Sequence, residues 1–415
     1  MSARVLATNA IWSLLSHVFS RGALILASVI LARTLATPSF AAYSYFQLTV
    51  SMLATYASMG LGITASRYFA EVGHGRPGQT RPPLGMLCLV SFVISCATFV
   101  LVLLLPTAWI AAGLKVPQWL LALGVACTAA GVIPGGAILG LERYREATAI
   151  SAISGIMMLL SAWWAARYEL AVLAMWGLTI AALVQAVGQF AIAVRVVGWS
   201  GLRVEPGKCA SEIRQIFGFA GPMLLVSLMA ASGSWIVGRI ILDMGGGAHA
   251  FSLYTIGLQW FALSLVIPGM ISRVVLPRLV RTSHEEAGHA QRRLVRTGAL
   301  LSTTAAAGMA VVGAAFGPYL MLMYGANYHA GRWFIGAFMG AAIFSAPANT
   351  LGNAIVARDG QRSWLAVTFV WLVVLLLAAV SASGFGAWSG ALAQALGALT
   401  LAGLAFVVAR RRGLV

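Results

Sequence analysis

Long apolar segments alternate with short polar ones along the whole chain. Twelve such segments stand out, and a helix of about 20 residues, rising about 1.5 Å per residue, crosses a hydrocarbon core of about 30 Å. Strands of a membrane barrel would be only about 10 residues long, with strict alternation. The pattern therefore predicts an all-α membrane protein. The predicted spans are 11–32, 40–71, 84–105, 119–140, 147–166, 173–197, 216–242, 251–276, 297–316, 333–356, 364–382 and 387–409.

The spans fall into two sets of six, separated by a basic connection at residues 198–215. This predicts an N-terminal half at 1–197 and a C-terminal half at 216–415. A faint repeat supports the division, because a shift of 211 residues places Phe40 on Phe251 and Tyr43 on Tyr254. An even number of spans per half gives both halves the same orientation. We therefore expect a pseudo-two-fold axis along the membrane normal and a central cavity between the halves.

Composition and charge agree with a polytopic membrane protein. Hydrophobic residues make up 60% of the chain, charged residues 9%, and the mean hydropathy is +0.90. The net charge of +17 would also suit nucleic-acid binding. However, with a cytoplasmic N-terminus, the inside segments hold 21 lysines and arginines and the outside segments only 4. The positive-inside rule explains this bias, so both termini are predicted to be cytoplasmic and no nucleic-acid partner is expected.

The first span has a polar stripe that contains a cation. Arg21 lies ten residues from Ile11, roughly 15 Å along the helix axis and near the bilayer midplane. A charge at this depth costs at least about 2.5–3.5 kcal/mol, so Arg21 must face protein or water rather than lipid. No acidic residue lies deep in any span. Two roles stay open: bonding to the carbonyls and amides of neighbouring helices, or binding an anionic ligand.

Other polar residues in the spans have two interpretations each. Arg239 and Asp243 are four residues apart and can pair on one helical face, as an ion pair near a helix end or as part of a substrate site. The amides can connect helices or contact a hydroxyl-rich ligand. The predicted substrate-binding residues are Arg21, Arg239, Gln47, Gln185, Gln189, Asn349 and Asn353.

Three prolines lie inside spans and predict interrupted helices. They are Pro134, Pro268 and Pro347. Proline provides no backbone N–H, and neighbouring helices or waters can satisfy the carbonyl it leaves free in a membrane helix. Such interruptions often act as hinges in transporters, although they are also tolerated for purely structural reasons.

Motifs for catalysis or metal binding are not found in the sequence. His284 and His289 are five residues apart, whereas two ligands on one helical face need a spacing of four. The four cysteines have no metal-ligand spacing. A nucleophile elbow, a Walker loop and paired carboxylates are also missing. We therefore expect no catalytic residues, no metal and no cofactor, and a protein that is not an enzyme.

The stretch from Leu31 to Glu71 resembles the first helix pair of a known family. It reads LARTLATPSFAAYSYFQLTVSMLATYASMGLGITASRYFAE and is similar to Wzx-type polysaccharide (O-antigen) flippases of the MOP superfamily. Those proteins typically read AR-x-L-G, then F-G-x-Y, then G-L-G followed by an arginine. Ala36 and Ala41 stand where glycine is usual. Two later stretches, GPYLMLMYGANYHAG (317–331) and ARDGQ (357–361), are also similar.

The resemblance implies a MOP/MATE-like bundle of two six-helix halves in the bacterial inner membrane. It implies translocation of undecaprenyl-pyrophosphate-linked oligosaccharide units for polysaccharide biosynthesis, such as that of lipopolysaccharide. It also implies membrane lipid, a polysaccharide polymerase and glycosyltransferases of the same pathway as partners.

Two alternatives remain open. A cation-coupled MATE-like multidrug exporter would share this architecture, but such exporters generally keep buried carboxylates, for which Asp243 is the one candidate. A membrane polymerase or ligase would carry a large outside loop, whereas the longest outside segment is about 317–332.

Overall fold

A computed structural model describes residues 3–58, 61–73, 84–106, 113–199, 209–271, 288–358 and 360–415. These residues form helices joined by short turns. The helices are α1 (Ala3–Thr34), α2 (Thr37–Ser58), α3 (Leu61–Gly73), α4 (Leu84–Leu104), α5 (Gln118–Ala130), α6 (Val132–Gly140), α7 (Tyr144–Tyr168), α8 (Ala171–Val197), α9 (Cys209–Met244), α10 (Gly247–Ser264), α11 (Gly288–Leu322), α12 (Phe334–Ala357), α13 (Gln361–Ser381) and α14 (Ala387–Arg411). Most of the 284–289 segment lies outside the described residues.

Eleven stretches of the described chain are helical, long and apolar enough to cross a membrane. They coincide with eleven of the twelve predicted spans to within a few residues at most ends. The exception is the predicted span 40–71, which corresponds to α2 and α3. Serine, threonine and tyrosine are frequent in α2, so no 18-residue window of this helix reaches the hydropathy of the other eleven stretches.

The chain divides into two compact units, Met1–Ala231 and Ser232–Val415. The boundary at residue 231 lies inside α9. The predicted division at 198–215 stays a prediction, and residues 200–208 lie outside the described part of the chain.

Within the first unit, α1 packs on α7, α7 on α8, α4 on α5, and the short helices α3 and α6 on each other. Glycine allows the closest of these contacts. A Cβ at Gly136 of α6 would overlap the Gly62 carbonyl oxygen, and one at Gly140 would overlap the Ser66 carbonyl oxygen. Small residues four apart let two backbones approach in this way.

Within the second unit, α12 packs on both α11 and α14, and α13 and α10 pack on α14. The predicted repeat is matched by burial. Phe40 and Phe251 are both fully buried, and Tyr43 and Tyr254 are each only 1% exposed. The hydroxyl of Tyr254 donates to the Ser234 carbonyl of α9 at 2.9 Å.

Two of the three predicted helix interruptions are present. Pro134 follows a break at Gly131 between α5 and α6, and Pro268 follows a break at Leu265. In each case the helix breaks just after the residue four positions before the proline, whose carbonyl has lost its donor. The prediction of an interruption at Pro347 is wrong, because α12 continues through that residue. A proline that keeps its helix shows that neighbouring packing can offset one missing hydrogen bond.

Candidate functional site

A seam of hydroxyl groups joins α1 to α7. The Oγ atoms of Ser16 and Ser151 lie 2.9 Å apart. One turn away, the Thr148 hydroxyl lies 2.8 Å from the Trp12 carbonyl and can donate to it. These contacts pair part of the polar stripe of α1 with α7. Thr148, Ser151 and Ser154 recur at the three-residue spacing of one helical face. This spacing is the signal in the sequence that could have predicted the seam.

Gln185 of α8 extends the same seam. Its Nε2 donates to the Ser154 Oγ at 3.0 Å, and the Ser154 hydroxyl in turn donates to the Ser151 carbonyl at 3.1 Å. Gln185 therefore connects helices in this structure, which is the first of the two interpretations of the buried amides. Its own side-chain oxygen can still accept a further hydrogen bond.

Arg21 lies on α1 beyond this seam and differs from its polar neighbours. Its side chain is exposed, and it forms no hydrogen bond or ion pair with any residue in the described part of the chain. The backbone beside it is held firmly. A Cβ on Gly155 of α7 would lie 3.1 Å from both the Phe19 carbonyl oxygen and the Ala23 Cβ. The structure thus presents a guanidinium on a firmly packed stretch of backbone near the middle of a membrane helix, and the described residues supply none of the protein bonds that a structural role would require.

Arg239 does have an acidic partner. Its Nε lies 2.6 Å from the Asp243 Oδ2, and the two side chains are 29% and 46% exposed. The expected pairing is therefore confirmed. In the described residues of the second unit, Asp243 is the single acidic side chain. Much of the charge of Arg239 is consequently neutralised within its own helix.

The remaining predicted amides are spread over three helices. Gln47 of α2 and Gln189 of α8 are half-buried, and the Gln189 Oε1 lies beside the Cα of Gly135. On α12, Asn353 is half-buried and Asn349 is exposed. Arg21, Gln47, Gln185 and Gln189 belong to the first unit, whereas Arg239, Asn349 and Asn353 belong to the second.

A cavity of about 300 Å³ lies within the second unit, at the N-terminal ends of α10, α12 and α14. The hydrophobic pattern of the sequence does not predict it. The signal available was the cluster of glycines at 245–247 together with Gly386. Its lining residues are Gly245, Gly246, His249, Ala250, Leu253, Gly331, Phe334, Gly386, Ala387 and Trp388.

Similarity to a known protein family assigns the chain to that family. Residues 6–283 match the family model described as polysaccharide biosynthesis protein. The chain belongs to this family. Curated relatives include the EPS I polysaccharide export inner membrane protein EpsE of Ralstonia nicotianae and its counterpart in Ralstonia solanacearum. Both are 24% identical, over 287 and 277 residues, and each match covers 64% of this chain. The chain spans 61% of the length of these relatives.

Solved structures show which fold this family member adopts. It resembles an inward-facing multidrug resistance MATE family transporter of the MOP superfamily, with a TM-score of 0.77, 14% identity and coverage of 97% of this chain and 98% of that one. It also resembles a MOP superfamily transporter from Pyrococcus furiosus described as having a binding pocket of reversed polarity (TM-score 0.73, 13% identity, coverage 99% and 95%). The twelve-helix, two-lobe MOP/MATE-like fold class is thereby confirmed.

Proposed function

We propose that this protein translocates undecaprenyl-pyrophosphate-linked oligosaccharide units across the bacterial inner membrane for polysaccharide biosynthesis. Three observations support the proposal. The chain belongs to a polysaccharide biosynthesis family, its relatives are named as polysaccharide export inner membrane proteins, and its fold is that of MOP superfamily transporters. The function is transport rather than catalysis. Both termini would face the cytoplasm, following the charge bias of the connecting segments.

The observation that carries the proposal is the state of Arg21. A guanidinium in the middle of a membrane helix is costly unless it meets water or an anion. The described residues give Arg21 neither a carboxylate nor a carbonyl. A pyrophosphate supplies several acceptor oxygens, and a charge-assisted hydrogen bond to arginine is roughly twice as strong as a neutral one. Arg21 would therefore bind the pyrophosphate of the carrier.

The other predicted residues would contribute less to the phosphate and more to the sugars. Arg239 is already paired with Asp243, so we assign it an auxiliary role. Gln47, Gln189, Asn349 and Asn353 would contact sugar hydroxyls, because an amide offers both donors and acceptors. Gln185 would do so through its oxygen while its nitrogen remains bonded to Ser154.

A cation-coupled multidrug exporter is the competing function, since the fold is shared with MATE transporters. A cationic drug would require a buried carboxylate. Acidic residues occur in α3 and at the start of α9. Elsewhere in the described helices and turns they are Glu142, Glu146, Glu169 and Asp243. None of these four is buried, and each lies at or near a helix end. The sign of the charge within the spans therefore favours an anionic substrate.

Deletion of the gene tests the proposal directly. Lipid-linked oligosaccharide extracted from deletion cells should accumulate, with the repeat units on the cytoplasmic leaflet, while ethidium efflux in the same strain stays unchanged. Normal lipid-linked pools together with lost efflux would overturn the proposal in favour of the exporter. A polymerase and glycosyltransferases encoded beside the gene would be the expected pathway partners.

A further inference from the structure

The cavity in the second unit combines aromatic rings with hydrogen-bonding groups. Trp388, 41% exposed, lies edge-to-face against Phe334, with ring centroids 5.2 Å apart. Across the lining, the imidazole of His249 stacks on Tyr328 at 5.3 Å with the planes 6° apart. His249 is exposed and Tyr328 is buried. Each ring that borders the cavity is therefore packed against another ring, since Phe334, which also lines the cavity, contacts Phe338 at 5.1 Å as well.

Three helix N-termini lie around the same space. The helices α10, α12 and α14 begin at Gly247, Phe334 and Ala387, and none of these three N-termini has a side-chain cap. The first N–H groups of a helix have no partner four residues back, so an uncapped end leaves donors available. One of these groups, the N–H of Ser389 in α14, is already used, because it donates to the Gly386 carbonyl at 3.1 Å. Glycine keeps the rim open, since Gly246 and Gly386 adopt positive φ angles of 106° and 60° that other residues rarely adopt.

We infer that this cavity binds a single neutral sugar ring. A pyranose has an apolar face that suits an aromatic ring and a rim of hydroxyls that suits backbone and imidazole groups. A cavity of about 300 Å³ is at the lower limit for ligand sites, which fits one ring rather than a whole oligosaccharide. None of the described residues that line the cavity is an arginine or a lysine, so a phosphate would lack a cationic partner among them.

The inference deepens the proposed function and rests on it for the source of the sugar, which would be one residue of the translocated oligosaccharide. The cavity lies at the end of the second unit opposite to Arg411, the last residue of α14. With a cytoplasmic C-terminus, it would face the periplasm. A sugar bound there would be one that has already crossed the membrane.

Saturation-transfer NMR on the full chain in lipid nanodiscs tests the site. The probes are the methyl glycosides of glucose, galactose, mannose and N-acetylglucosamine, with inorganic phosphate as a competitor. We expect at least one glycoside to bind. The Trp388→Leu variant should weaken that binding about tenfold, because it removes the ring face. His249→Ala should also weaken it, and His249 is exposed, so this variant provides the test if Trp388→Leu proves unstable.

Trp119→Leu is the matched control. Trp119 is 50% exposed and packs edge-to-face on Trp176 with ring centroids 5.4 Å apart, but it does not line this cavity. Its loss should leave glycoside binding unchanged. The inference is overturned if no glycoside binds the unaltered chain, if phosphate displaces the glycoside, or if the Trp388 and Trp119 variants behave alike. Failure of the proposed function would appear separately, as normal lipid-linked pools in the deletion strain, without any change in this binding measurement.

Discussion

Gly140 of α6 lies directly against the backbone of α3 at Ser66. A Cβ at residue 140 would overlap the Ser66 carbonyl oxygen and would lie 2.9 Å from the Ala70 nitrogen. Both obstacles are backbone atoms, which cannot rotate away as a side chain can. The two short helices of the first unit therefore depend on glycine at this position for their contact.

Gly140→Ala should destabilise the protein by about 1–3 kcal/mol, the usual cost of overpacking. The measurement is the thermal unfolding midpoint of purified protein, together with its level in the membrane. Gly308→Ala is the control, because a Cβ there would meet nothing within 4 Å. Alanine is intrinsically the better helix former, so the control should be neutral or slightly stabilising. Equal behaviour of the two variants would contradict the close contact.

The side chain of Gln118 caps the C-terminal end of α4. Its Nε2 lies 2.9 Å from the Val102 carbonyl oxygen, 3.1 Å from that of Leu103 and 2.6 Å from that of Leu105. The last carbonyls of a helix have no partner within it, so one amide replaces several missing donors. This contact also fixes the start of α5 against the end of α4.

Gln118→Leu should cost about 1–3 kcal/mol, since it leaves partly buried carbonyls without a donor. Gln118→Glu should be at least as harmful, because a carboxylate would replace the donor with acceptor oxygens. Gln361→Leu provides the comparison: Gln361 is also the first residue of its helix, and its side chain makes no hydrogen bond with described residues. Thermal unfolding of the three variants decides the matter, and similar losses for Gln118→Leu and Gln361→Leu would refute the capping role.

Hydrophobic periodicity was enough to locate the membrane helices, because the bilayer sets their length and composition. It was least informative for α2, where frequent hydroxyl side chains lower the hydropathy of the span. Proline alone did not decide the helix breaks, since α12 continues through Pro347. Tertiary packing settles such cases, and the local pattern of residues does not reveal it.

The candidate site was predicted unevenly for a similar reason. Arg21 could be identified because a single charge in a membrane span has a low free energy only where it meets protein, water or an anion. The pairing of Arg239 with Asp243 followed from helical spacing. The bond between Gln185 and Ser154 could not be predicted, because it depends on how α7 and α8 pack. The cavity could not be predicted, because its lining residues come from three segments of the second unit that are far apart in the sequence.

Membrane orientation is the third prediction. In a functional variant without native cysteines, single cysteines at Lys115, Met244 and Ser383 should react with an impermeant thiol reagent in intact cells with a permeabilised outer membrane. A cysteine at Arg362 should not react until the inner membrane is opened. Met244 is preferred to Gly246, two residues further on, whose φ of 106° would strain a cysteine. The reverse labelling pattern would exclude cytoplasmic termini.

The last prediction concerns the charge at residue 21. Arg21→Ala should abolish surface polysaccharide while the membrane level of the protein stays near normal, because the proposed pyrophosphate contact is lost. Arg21→Lys should retain part of the activity, since it keeps the charge but not the planar, bidentate geometry. Arg21→Glu should behave like the gene deletion, because a carboxylate repels the substrate as well as removing a contact. Arg239→Ala should cause a smaller loss, as its charge is already paired with Asp243.

Arg167→Ala is the matched control for this series. Arg167 is also an exposed arginine, but it lies at the C-terminal end of α7, where headgroups and water can surround it. Its loss should leave polysaccharide at the cell surface unchanged. Quantified surface polysaccharide and immunoblots of membranes separate a binding role from a structural one. Loss of the protein itself in Arg21→Ala cells would assign Arg21 to folding, and normal polysaccharide would remove it from the site, because a cation that binds the carrier pyrophosphate cannot be dispensable for transport.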